Sequence, residues 1–200
     1  MPRYLPELLA DLVESQHGVV SRGQAAQAGL TRHEITARLR SGRWQRLHAG
    51  VYATFSGQPP REAVLWAALL RVGHDATLSH QTAAELSGLV DAPASLIHVS
   101  VSRQTGSLHV GGIALHYSAC LPAARHPART PPQTRIEDTV LDLAELAGCA
   151  EAAVGWGIRA CQRQLTKPEL LREAMTQRAR LRWRDDLAFA LEVNPDLGCG

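Results

Sequence analysis

Residues 21–53 read SRGQAAQAGLTRHEITARLRSGRWQRLHAGVYA, and the punctuation of this stretch decides the fold. Ser21 is placed to cap a short helix from Arg22 to Ala28, and Gly29 supplies the turn after it. Thr31 caps the next helix, Arg32 to Ser41, with Glu34 three residues on to complete a capping box and Gly42 to close the element. Trp44, Leu47, Val51, Tyr52 and Phe55 then fall in two short β-prone runs around His48-Ala49-Gly50, where the Ala-Gly pair suits a tight hairpin. Upstream, Leu5, Leu8, Leu9, Leu12 and Val13 recur at helical spacing until His17-Gly18, and Val19-Val20 form an extended link. Three helices followed by a hairpin, with a short Gly-containing turn between the second and third helices, is the order of a winged helix-turn-helix.

The same stretch concentrates charge. Arg22, Arg32, Arg38, Arg40, Arg43 and Arg46 stand against Glu34 alone, whereas the whole chain of 200 residues has a formal net charge of only +2. A local excess of this kind is the electrostatic footprint of a nucleic-acid partner. At 100° per residue, Ile35 and Leu39 share the inward face of the third helix. His33, Thr36, Ala37 and Arg40 take the opposite face, with Arg32 at its first turn. Small Ala and Thr side chains let a helix approach base edges, and Arg can fork onto guanine O6 and N7. Arg43 and Arg46, on the following strand, are expected to reach flanking phosphates, with His48 at the wing tip. Arg22 and Thr31, at the starts of the two helices, complete the candidate DNA contacts.

Beyond this segment, Ser56-Gly57-Gln58-Pro59-Pro60 reads as a linker. The chain is therefore expected to be α+β: a winged helix-turn-helix over 1–57, a small mixed domain over 58–148, and a helical extension over 149–200. The mixed domain should open with an apolar helix, Arg61 to Val72, and a second helix, His80 to Ser87, capped by Ser79. Ile97 to Ser102 alternates as a strand. Leu108-His109-Val110 and Ile113 to Tyr117 should pair as a hairpin through Gly111-Gly112. Leu121 to Gln133 is Pro-rich and reads as extended, and Ile136 to Ala147 as a helix. Two helices are expected after it, the second opening on a capping box at Thr166-Lys167-Pro168-Glu169. Trp156, Trp183 and Phe189 read as core or as a packing surface.

Composition narrows the function. With 45% hydrophobic residues the chain can bury a core. Cys120, Cys149, Cys161 and Cys199 lack any C-x-x-C pair, which fits incidental thiols in a reducing cytoplasm. No signal peptide or membrane span is evident, so a cytoplasmic location is expected. There is no phosphate-cradling loop. His98, His109 and His116 lie on strands that can approach one another, but no Cys or carboxylate accompanies them there, so they read as structural or surface histidines. Glu137, Asp138 and Asp142 read as acidic residues placed favourably against a helix dipole. No catalytic residue, metal site or cofactor is expected.

Leu8 to Ala53 resembles the N-terminal winged-helix domain of AbiEi-type antitoxins from type IV toxin-antitoxin systems, particularly the actinobacterial set. The motifs GVVSRGQAAQAGLTRHEI and RLHAGVY occur in order. ATLSHQTAAELSGL, IHVSVS and RTPPQTRIEDTVLDLA resemble the middle domain of the same proteins, so the resemblance spans about residues 5–147. It implies a DNA-binding antitoxin that represses its own phage-defence operon at promoter inverted repeats, as a homodimer on the DNA. It also implies a nucleotidyltransferase toxin as functional partner, in many cases without a stable complex. Many relatives continue into a Vsr-like nuclease domain, which would begin where this chain stops, at Leu197 to Gly200. The abrupt end suggests a truncation. The alternative readings are a remnant or accessory of a Vsr-like defence protein and a plain protein-protein module. Lys167 is the only lysine and sits at a helix cap, so the carboxylate and lysine set of such nucleases is not expected here.

Overall fold

The structure, a computed structural model, describes residues 7–102 and 109–193. The chain divides into two compact units, Met1–Ala76 and Thr77–Gly200.

The first unit runs α1 (Glu7–Ser15), β1 (Val19–Ser21), α2 (Arg22–Gln27), α3 (Arg32–Arg40), β2 (Gln45–His48), β3 (Val51–Ala53) and α4 (Arg61–Val72). β3 is the central strand of a three-stranded antiparallel sheet in the order β1-β3-β2. The alternation of a strand sends neighbouring residues to opposite faces, and both faces of this sheet are covered. Val20 and Tyr52 pack with Leu9, Ala25, Leu30, Ile35 and Trp44 beneath α1, α2 and α3. Val19 and Val51 pack on the other side with Ala63 and Ala67 of α4, joined by Leu47, Phe55, Trp66 and Leu70. The expected linker therefore does not separate domains. Gln45 Nε2 donates to the Gly57 carbonyl at 2.7 Å, which ties this segment back to β2. The first unit extends to Ala76 because α4 is half of its core. Hydropathy marked α4 as buried but carried no information about which sheet it would cover.

The second unit holds β4 (Thr77–Leu78), α5 (His80–Leu86), β5 (Ile97–Val101), β6 (Ile113–Tyr117), α6 (Leu121–Ala124), α7 (Ile136–Glu145), α8 (Ala150–Gln162), α9 (Pro168–Thr176) and α10 (Arg184–Val193). Its sheet has the order β4-β5-β6, with β4 antiparallel to β5 and β5 parallel to β6. The hairpin expected across Gly111-Gly112 does not form. His109 and Val110 are not in a strand, Leu108 lies outside the described residues, and β6 pairs with β5 instead. Ile97 N–H donates to the Gly112 carbonyl at 2.9 Å, so the two glycines set the start of a parallel ladder.

Three helices follow α7, and they share its core: Val140, Leu141, Ala153, Leu171, Leu187 and Leu191 belong to one cluster. The segment after residue 149 is thus integral to this unit. The capping box at α9 is also absent. Thr166 Oγ1 donates to Glu137 of α7 and makes no cap. Trp156 and Trp183 pack on the core as expected, but Phe189 is 68% exposed. A short helix, α6, interrupts the segment expected to be extended. Among the described residues no helix is long and apolar enough to cross a membrane. The expectations for Leu5 and for Leu197 to Gly200 fall outside the described residues.

Candidate nucleic-acid interface

Both expected caps of the helix-turn-helix form. The Ser21 hydroxyl accepts from Gln24 N–H at 3.1 Å while the Gln24 side chain accepts from Ser21 N–H at 2.9 Å. Thr31 and Glu34 make the same reciprocal pair, 3.2 Å and 3.0 Å. Such boxes satisfy donors that a helix start leaves unpaired. Between the helices Gly29 adopts φ +89, a conformation that strains any other residue, and Leu30 N–H returns to the Ala25 carbonyl at 2.9 Å. Leu30 is buried, so the turn is pinned to the core.

The third helix presents the expected face. Ile35 is buried and Leu39 packs partly against the same core, while Arg32, His33, Ala37 and Arg40 are exposed and Thr36 is half-buried. Arg32, Arg40, Arg43 and Arg46 make no ion pair among the described residues and are exposed. Two hydroxyls are already committed. Thr36 donates to the Arg32 carbonyl at 2.8 Å, so its hydroxyl keeps only acceptor capacity for another partner. The Thr31 hydroxyl donates to Glu34 at 2.9 Å, so this residue serves the helix start first. Arg38 is set apart from the other arginines, with its guanidinium 5.5 Å from the centre of the Trp44 ring. That cation–π contact holds it on the protein's own surface.

A sequence profile described as "Transcriptional regulator, AbiEi antitoxin" matches residues 7–54, from α1 through the wing. This winged-helix segment is similar to the AbiEi antitoxin family. Among solved structures, the RV2827C protein from Mycobacterium tuberculosis is similar, with a TM-score of 0.61 and 15% identity over 99% of this chain and 80% of that chain. At that identity the likeness is one of fold. No curated protein matches the sequence.

In the AbiEi-type segment the wing departs in detail from the sequence reading. Arg43 lies in the loop after Gly42 rather than on a strand. Arg46 is on β2, opposite Tyr52, and exposed. A bulge between Arg46 and His48 follows, which re-aims the side chains beyond it. His48 ends half-buried rather than at the tip, which Ala49-Gly50 form. Burial, and then the charge of Arg71 on α4, lower the His48 pKa from its ordinary value. Arg22 is exposed at the start of α2, and its backbone N–H donates to the Gly50 carbonyl in the wing turn at 2.7 Å.

Outside the AbiEi-type segment, the second unit assembles a cluster that the sequence did not disclose. His98 on β5 and His116 on β6 are register neighbours across the Ser100–His116 and His98–Ala114 pairs, and His98 Nδ1 lies 3.0 Å from His116 Nε2. The third member is His80, at the start of α5, not His109, which is exposed and elsewhere. A carboxylate does accompany them: Asp142 Oδ2 stands 3.8 Å from His80 Nδ1. It arrives from α7, which strand-by-strand reading could not bring alongside. Asp138 and Asp142 are not simply dipole partners, because Arg178 of the loop after α9 bonds both, at 3.2 and 2.7 Å. Burial pushes both carboxyls above their ordinary range, against the opposing pull of Arg178.

Proposed function

We propose that the chain is a sequence-specific, double-stranded-DNA-binding antitoxin that represses its own promoter within a type IV toxin-antitoxin, phage-defence operon. The observation that carries this reading is the α3 face of Arg32, His33, Ala37 and Arg40, exposed and without ion pairs among the described residues, while Ile35 anchors the helix from behind. A helix offered in this way suits the major groove, where each base pair presents a distinct pattern of donors and acceptors. Arg46 on β2 and Arg43 before it are the phosphate contacts, which fix register without reading sequence. Arg22 lies beside the wing turn, its N–H bonded to the Gly50 carbonyl, and also meets phosphate. Thr31, Thr36 and His48 contribute less: their hydroxyls and ring are already engaged or half-buried.

Promoter inverted repeats would be met by a homodimer, each copy placing one α3 in successive major grooves. The functional partner is a nucleotidyltransferase toxin. DNA recognition belongs to the winged helix, and the protein acts in the cytoplasm without catalysis by this chain. A gel shift on the protein's own upstream region tests the proposal. Retarded bands that survive excess unrelated duplex support it; no preference over unrelated duplex sinks it.

A further inference from the structure

Three imidazoles converge in the second unit from three different elements. His80 opens α5, His98 sits on β5 and His116 on the adjacent β6. One ring nitrogen from each lies within 4.8 Å of the other two. The His80 ring stacks on His116 with centroids 3.6 Å apart, and the His98 centroid is 5.2 Å from that of His116. The geometry points to a binding site for one divalent first-row transition-metal ion of the Zn²⁺ type, held by His80, His98 and His116.

Three features support this assignment. The donors are of one kind, aromatic ring nitrogen, which suits zinc, copper, nickel and cobalt rather than calcium or magnesium. His80 is also braced from behind. Its Nδ1 lies 2.9 Å from the Ser79 hydroxyl and 3.8 Å from Asp142, leaving Nε2 as its donor atom. A carboxylate behind a histidine is how proteins commonly orient a metal-bound imidazole. Ser79 in turn accepts from the Ser100 hydroxyl at 2.8 Å, and Asp142 is held by Arg178, so the brace is itself fixed. Finally, His80 adopts φ +49, a left-handed backbone that a non-glycine residue seldom takes and that aims its ring over the sheet.

The nitrogens must draw together for an ion to bind. Tetrahedral sites with Zn–N bonds of about 2.0–2.1 Å hold their donors within about 3.4 Å of one another. His98 Nδ1 and His116 Nε2 are already inside that separation. His80 completes the set by a small shift of its ring off the His116 face that keeps Nδ1 toward Ser79 and Asp142. His98 and His116 are half-exposed, which gives the ion an entry path and leaves water as the fourth ligand. Bound there, the ion ties α5 to both β5 and β6.

The test uses the full chain, stripped with chelator and titrated with ZnCl₂ by calorimetry. One ion per chain is expected, with affinity reduced at least tenfold in His98→Gln and in His116→Gln and unchanged in His109→Gln. Zn²⁺ should also raise the thermal midpoint of the unsubstituted chain and not that of His116→Gln. Long-range ¹H–¹⁵N spectra of the unsubstituted chain decide the matter independently of whether the variants fold. Zinc should move the ring resonances of three of the nine histidines and leave the others in place. Uptake that persists undiminished in the His98→Gln/His116→Gln double variant, absence of uptake at micromolar zinc, or shifts at other histidines would overturn the site.

Discussion

Arg22 and Gly50 hold the helix-turn-helix to its wing. The Arg22 N–H donates to the Gly50 carbonyl at 2.7 Å, and the Arg22 guanidinium lies 3.7 Å from where a Cβ on Gly50 would stand. The turn between β2 and β3 is thereby tied to the first residue of α2, so the wing arginine Arg46 and the helices are positioned as one piece. Gly50 adopts φ +77, whereas the space around it admits a methyl group in ordinary contact. Gly50→Ala should therefore destabilise through backbone strain rather than clash, by about 1–2 kcal/mol. Urea unfolding of the two proteins measures this.

The boundary of the first unit is testable with two fragments. Val19 and Val51 are fully buried only because α4 covers their face of the sheet. A fragment of residues 1–56 exposes both, and each valine then forfeits about 1.5 kcal/mol or more of burial. Residues 1–76 should melt cooperatively by circular dichroism, and residues 1–56 should melt at markedly lower temperature or show no transition. Equal midpoints would mean that α4 is dispensable.

In the second unit, Arg178 is the only cation bonded to both Asp138 and Asp142 among the described residues. Removing one partner from a mostly buried ion network leaves uncompensated charge. Arg178→Met should cost about 3 kcal/mol of stability, the low end of the range for buried pairs because Arg178 keeps 18% exposure. Arg178→Lys should recover part of the loss but not all, since an ammonium cannot fork onto two carboxylates. Denaturant midpoints for the three proteins give the order directly.

Much of the first unit was legible because its signals are local. Capping residues, the glycine at the turn and the 3.6-residue spacing of Ile35 and Leu39 act within a few positions of themselves, and each element formed where they placed it. What the residues did not carry were decisions made at long range. Nothing in Ile113 to Tyr117 states that its partner is β5 in parallel rather than a hairpin strand beside it. The Thr166 hydroxyl left its cap for Glu137, a residue on another helix. The histidine cluster depended on the same missing information, for His98 and His116 meet only through strand pairing, and His80 and Asp142 arrive on helices. The bulge between Arg46 and His48 leaves His48 half-buried on β2, against the expectation that it sits at the wing tip.

His48 and Arg46 should separate in their salt dependence. Burial and the Arg71 charge lower the His48 pKa below the ordinary 6.5, so the ring stays largely neutral near pH 7 and displaces no counterion from DNA. His48→Gln should leave the slope of log K against log salt unchanged at about pH 7 and about pH 8. Arg46→Ala should reduce that slope by about 0.9, the value for one phosphate no longer neutralised, and weaken binding to all duplexes alike. Titration of the salt dependence by fluorescence anisotropy distinguishes the two. A slope that falls in His48→Gln would place that ring, charged, on a phosphate.

The central claim is that α3 reads sequence and that Arg40 is its principal reader. Arg40 is exposed, opposite Ile35, at the end of the helix face that starts with Arg32 and His33. The most direct measurement is the ratio of affinities for the protein's own upstream duplex and a scrambled duplex, by fluorescence anisotropy at two salt concentrations, in the unsubstituted chain and in Arg40→Ala. The substitution should cost about 1–3 kcal/mol on the cognate duplex and much less on the scrambled one, so the ratio should fall by about tenfold or more. An unchanged ratio would contradict the account and reduce α3 to a solvated scaffold.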